Sequence, residues 1–175
     1  MAERTRLNTS TVVVVGDDLA AGAGDFGLRE DRQVTSFAAL FAHQLGAEFR
    51  QPIIQAPGIG PALGMPAAPV VLPQAMQTTV LAEFPPTSLI SNVSVPGLRL
   101  EEAVSRRPVS PLIHRSDARQ TALNLIVGLP GLLLPGSQPA PTAIEYAAFR
   151  QPTLTVLACD VSVLSVWTLF SVLAV

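Results

Sequence analysis

Hydrophobic residues fall along this chain in two distinct rhythms. Thr11, Val12, Val13, Val14 and Val15 make an unbroken β-branched run that stops at Gly16. That is the pattern of a parallel strand buried on both faces, because a strand with one wet face alternates. Phe37, Leu40, Phe41 and Leu45 instead recur at helical spacing, with Ser36 placed to cap the start and Gly46 to end it. This spacing predicts an amphipathic helix over 36–45.

The same two rhythms continue downstream. Residues 89–95 read as a second strand ending at Pro96 and Gly97, followed by a short helix through Leu100, Ala103 and Val104 that Pro108 stops. Residues 121–134 are apolar but punctuated by Gly128, Pro130 and Gly131, so a helix is expected only to about Val127. Thr142 with Glu145 three residues on is a capping-box signature for a helix through Phe149, and 154–158 is the third strand. Between the first helix and the second strand, 50–87 is crowded with proline and glycine. Connections of that length tend to be functional or mobile, so this excursion is expected to be either a lid or substrate-side wall or a tolerated insertion. The order of elements favours a parallel sheet with right-handed crossovers in one domain spanning 1–175.

Composition narrows the chemistry. At 175 residues the chain can bury roughly 70% of its unfolded surface. Hydrophobic residues make up 49% and charged residues 14%, well short of the about 25% charged in ordinary soluble domains. Strands buried on both faces would account for that. All 11 basic residues are arginines scattered without a cluster, and the net charge is −2, which argues against nucleic acid as a partner. The absence of lysine excludes Schiff-base catalysis and a P-loop. Cys159 is the single cysteine, so neither an internal disulfide nor a cysteine-rich zinc site can form. Arg4 and Arg6 precede too short an apolar stretch for a signal peptide, which makes a cytoplasmic location the default expectation. The apolar segment from Val161 to Val175 holds 15 residues, below the roughly 20 that span a bilayer. It is expected to be a buried strand, and a site of self-association where nothing covers it.

Gly16-Asp17-Asp18-Leu19-Ala20-Ala21-Gly22 resembles the first block of the SGNH, or GDSL, hydrolases, Gly-Asp-Ser-Leu-Thr-Ala-Gly, with Asp18 at the position of the nucleophilic serine. Asn92-Val93-Ser94-Val95-Pro96-Gly97 is similar to the second block, whose glycine donates a backbone N–H to the oxyanion hole; that glycine is Gly97 here. The strand at 152–157 looks like the one leading into the third block, Gly-x-Asn-Asp, but the block itself has become Cys159-Asp160-Val161-Ser162. Val161 thus stands at the family's asparagine. The resemblance implies a flavodoxin-like three-layer α/β sandwich with a mostly parallel sheet, incomplete at its C-terminal end because the Asp-x-x-His block is missing. It also implies a site at Asp17, Asp18, Gly97 and Val161, with an ester or acyl compound as its small ligand and no metal or cofactor.

Acyl transfer in that family needs a hydroxyl nucleophile, a histidine base and several oxyanion donors. Asp18 has no hydroxyl, Val161 cannot donate, and neither His43 nor His114 stands in the family's motif. His43 is expected on the solvent side of its helix, and His114 in a polar loop. Hydrolysis is therefore expected to be impaired. The rival reading is a non-catalytic module that binds a ligand in the family crevice or docks a partner through the apolar C-terminus. Two further patterns are weaker. Asp17, Asp18 and Asp160 at strand ends could hold a cation, although lysine is missing as a phosphate partner. Gly22, Gly24 and Gly27 satisfy Gly-x-Gly-x-x-Gly, but too far after the strand for a dinucleotide turn.

Overall fold

The computed structural model describes residues 8–24, 27–55, 58–59, 88–114, 116–131, 139–160 and 168–174. The β-branched run becomes β1 (Val12–Gly16), buried at every position. Its partner is β4 (Leu154–Asp160), parallel to it and in register from Val12 opposite Leu154 to Gly16 opposite Ala158. Between them lie α1 (Asp18–Ala21), a minimal antiparallel hairpin β2 (Ala23–Gly24) and β3 (Gly27–Leu28), α2 (Glu30–Gln33), α3 (Phe37–Leu45), α4 (Leu100–Ser105), α5 (Ala118–Leu123) and α6 (Leu129–Gly131), then α7 (Ala143–Phe149). The last strand is β5 (Thr168–Ala174).

The side chains of β1 alternate between two cores. Val13 and Val15 join Leu123, Ile126, Val127 and Tyr146 on one face, while Val12 and Val14 join Ala20, Ala38, Leu154 and Val156 on the other. Helices thus cover both faces of β1, as its lack of polar positions requires. Full burial of each valine stabilises the fold by about 1.5–3 kcal/mol relative to exposure.

Caps account for the helices. Ser36 Oγ accepts from the Ala39 N–H at 3.2 Å, and Gly46 ends α3 in the left-handed conformation at φ 64°. In α7 the capping box is complete: Thr142 Oγ1 accepts from the Glu145 N–H at 3.2 Å, and Glu145 Oε2 accepts from the Thr142 N–H at 3.0 Å. Buried Gln33 pins the start of the proline-rich segment, donating to the Pro52 carbonyl at 2.9 Å and accepting from the Ile54 N–H at 2.7 Å.

The expectations need correction at four places. The sheet is mixed, because β5 pairs antiparallel with β4 from Leu154 opposite Ala174 to Asp160 opposite Thr168. An apolar run has no polarity of its own, so its direction was unreadable. Residues 89–95 form only part of a ladder: Asn92 bridges Val14, the Val14 N–H donates to Ser91 O, and the Val93 and Val95 N–H groups donate to Val14 and Gly16. The helix expected to begin near Thr121 starts at Ala118, where Asp117 caps it, and widens into a π-helical turn over Asn124–Gly128. Leu40 does not face the core; it is 52% exposed, and α3 buries Ala38 and Ala42 instead. Val161 and most of the 50–87 excursion lie outside the described residues. Among the described residues no helix is long and apolar enough to cross a membrane.

Candidate functional site

The site forms where β1 ends. Gly16 has no room for a side chain: a Cβ there would stand 2.6 Å from Ala20 Cβ and 2.7 Å from the Ala158 carbonyl oxygen. This close approach lets the chain turn from β1 into α1 within one residue. That residue is Asp17, only 8% exposed, whose N–H donates to Ala158 O at 2.9 Å and whose carbonyl accepts from the Ala21 N–H. Asp18 then opens α1 with its carboxylate half-buried.

Residues 92–97 reach the same place along the other edge of β1. The Val95 N–H bonds to Gly16 O at 3.0 Å, and the chain turns through Pro96 to Gly97, which adopts φ 68° as only glycine does without strain. The Gly97 N–H donates to Asp18 Oδ1 at 2.7 Å. That is the short distance of a hydrogen bond to an ionised acceptor. The two residues are 79 positions apart in the chain and meet because 91–95 runs beside β1. Asn92 steadies the arrangement from behind, its Nδ2 donating to Ala20 O at 3.0 Å and its Oδ1 accepting from the Ser94 N–H at 3.1 Å.

A charged cluster backs Gly97. A Cβ at position 97 would lie 3.3 Å from Arg119 Nε, so the guanidinium rests against the glycine. Arg119 Nη1 donates to both oxygens of Glu102, at 3.1 Å each. Glu102 also accepts from the Arg99 N–H and from Arg106, whose own Nη2 reaches Asp117 Oδ2 at 2.6 Å. Burial raises the Glu102 pKa, but the Arg99 N–H and the charges of Arg119 and Arg106 outweigh it and hold the carboxyl below its usual range. Asp117 is lowered the same way, with burial opposed by the Gln120 N–H and by Arg106.

Of the four residues expected at the site, Asp17, Asp18 and Gly97 converge at the end of β1. The histidines lie where their surroundings in sequence suggested. His43 is exposed in the last turn of α3, and the His114 ring stands 3.5 Å from the Val109 carbonyl in its own loop. The glycine-rich pattern is no dinucleotide turn: Gly22 caps α1 at φ 80°, and Gly24 pairs with Gly27 in the hairpin. Among the described residues no group of three or more His, Cys, Asp or Glu is placed to hold a metal ion. Arg119 is the residue sequence reasoning missed. Glu102 and Arg106 at i and i+4 signal a pair, but nothing local points from position 119 to position 97.

Comparison of the chain with protein-family models, with curated proteins and with solved structures gives no match in any of the three. The fold and the contact together define a mixed α/β domain with an acidic strand-end site faced by a glycine N–H.

Proposed function

We propose that this chain is an SGNH-like, or GDSL-like, domain of the esterase and lipase type in which hydrolysis has been lost. The observation that carries the reading is the 2.7 Å hydrogen bond from the Gly97 N–H to Asp18 Oδ1. In such a domain the serine position and an oxyanion donor lie side by side, and the contact between Asp18 and Gly97 supports that reading. The helices on both faces of β1 are consistent with a three-layer, flavodoxin-like sandwich.

The same contact supplies a physical reason for inactivity. An acyl substrate must place its developing oxyanion against preorganised donors. Here a carboxylate oxygen already occupies the Gly97 N–H, tethered at an effective concentration no free substrate matches. Its negative charge also opposes a second anion beside it. With no hydroxyl to attack and the donor engaged, binding is what the crevice retains. Leu19, 58% exposed next to Asp18, offers an apolar contact there and favours an acyl or ester ligand over a purely polar one.

The test is turnover of a short-chain p-nitrophenyl ester by wild type and by Asp18→Ser. Both are expected to stay at the buffer background, because the serine alone regains neither a base nor the missing amide donor. Turnover by wild type that Asp18→Asn abolishes would overturn the loss of hydrolysis.

A further inference from the structure

At the opposite end of β1 lies a cleft of about 280 Å³, lined among others by Ser10, Glu48, Arg50, Ser88, Ser91 and Arg150. Its lining carries two arginines and one carboxylate. Arg50 is held in place by Glu48, Nε to Oε1 at 2.8 Å, and by Ser88, Nη1 to Oγ at 2.8 Å. Its Nη2 is left over as a donor among the described residues. Arg150 follows α7, its backbone N–H bonded to Tyr146 O and Ala147 O, while its side-chain Nε is shielded from water with no hydrogen-bond partner.

We propose that this cleft binds a small anion carrying a phosphate group, a phosphate monoester being the class that fits. Two arginines from separate parts of the chain, Arg50 and Arg150, line the cleft together with Ser10, Ser88 and Ser91, so charged and hydroxyl donors are available around it. A tetrahedral group with three outward oxygens uses such a set more fully than a planar carboxylate does. The volume is near the lower end of small-molecule sites and exceeds what a bare phosphate fills, which leaves space for a small organic remainder. Glu48 tempers the positive field but is engaged by Arg50.

Equilibrium titration with inorganic phosphate and with glycerol phosphate tests this, using acetate and chloride at matched ionic strength as controls. The expected result is saturable binding of both phosphates, with glycerol phosphate the tighter, and a melting temperature raised by about 3 °C at ten times the dissociation constant. Arg150→Gln and Arg50→Gln should each weaken binding about ten-fold or more. Acetate binding as tightly as phosphate would overturn the phosphate class. A response to phosphate no larger than to chloride, or unchanged affinity in both variants, would overturn the site itself. The wild-type titration decides the matter even where a variant fails to fold.

Discussion

The two ends of β1 solve opposite problems with the same strand. At its C-terminal end the chain is packed so closely that Gly16 cannot carry a methyl group, and the negative charge of Asp18 meets a backbone donor supplied from 79 residues away. At its N-terminal end the loops before β1, after α3 and before Asn92 stand around a cleft lined by two arginines and one carboxylate. One end is completed by the chain's own group, whereas the other offers what an outside group would have to complete. Open α/β sheets usually place ligands at the C-terminal ends of their strands. A carboxylate that fills the usual place leaves the cleft at the other end as the place for an outside group.

Gly16→Val attacks the packed end and should have the largest effect. Its side chain would collide with the Ala158 carbonyl, which is backbone fixed in the parallel ladder, so the strand must move. The expected loss is about 3 kcal/mol, seen as a fall of roughly 6–12 °C in melting temperature. A loss under about 1 kcal/mol would mean that this end is loosely packed and that the contrast between the two ends fails.

Tyr146→Phe probes the other end with a smaller expected effect. Tyr146 is fully buried, and its hydroxyl oxygen accepts from the Ile90 N–H at 3.0 Å, tying α7 to the segment that walls the cleft. Burial raises its pKa above the ordinary phenol value, so it stays neutral at physiological pH. Removing the oxygen strands a buried N–H at a cost of about 1.5 kcal/mol, measurable by urea unfolding. Phosphate affinity should fall as well, since Ser88 and Ser91 sit on the segment this bond anchors. Lost stability with unchanged affinity would separate the cleft from the hydrogen bond.

What the amino-acid sequence discloses divides along the line between local and long-range interactions. The caps at Ser36, Gly46 and Thr142 lie within four residues of the groups they satisfy, so α3 and α7 are legible at both ends. The valine run of β1 announces burial on two faces because no polar residue interrupts it. By contrast, α3 is turned by Ala38 and Ala42, small residues that allow close approach to the sheet, and a rule that weighs large side chains assigned Leu40 inward. At the start of the π-helical turn Asn124 ties the helix to the preceding loop, its Nδ2 facing the carbonyls of Val109, Pro111 and Leu112, a bond set with no local signature. At the site, Asp18 and Gly97 stand out by their resemblance to two motifs. Their direct bond depends on how 91–95 docks beside β1, which only three-dimensional structure discloses.

The cluster behind Gly97 yields the smallest effect and the one that tests whether the two ends of β1 communicate. Burial raises the pKa values of Glu102 and Asp117, but backbone N–H groups and arginines favour the ionised forms and hold each carboxyl below the ordinary value for its type. A depressed folded pKa means that the unfolded chain takes up protons first as the pH falls. The stability these groups confer is therefore present above pH 5 and lost as the pH drops through their folded values. Glu102→Gln should cost about 1 kcal/mol or less at pH 7, since its carboxylate is partly solvated, and the deficit should shrink in 0.5 M salt and disappear as the pH falls through the folded pKa of Glu102. Urea midpoints of wild type and variant across pH measure it. Because Glu102 acts on Gly97 through Arg119, the variant should leave phosphate affinity at the far end unchanged. A parallel fall in that affinity would show that loosening one end of β1 is felt at the other, and that the two ends form a single coupled site.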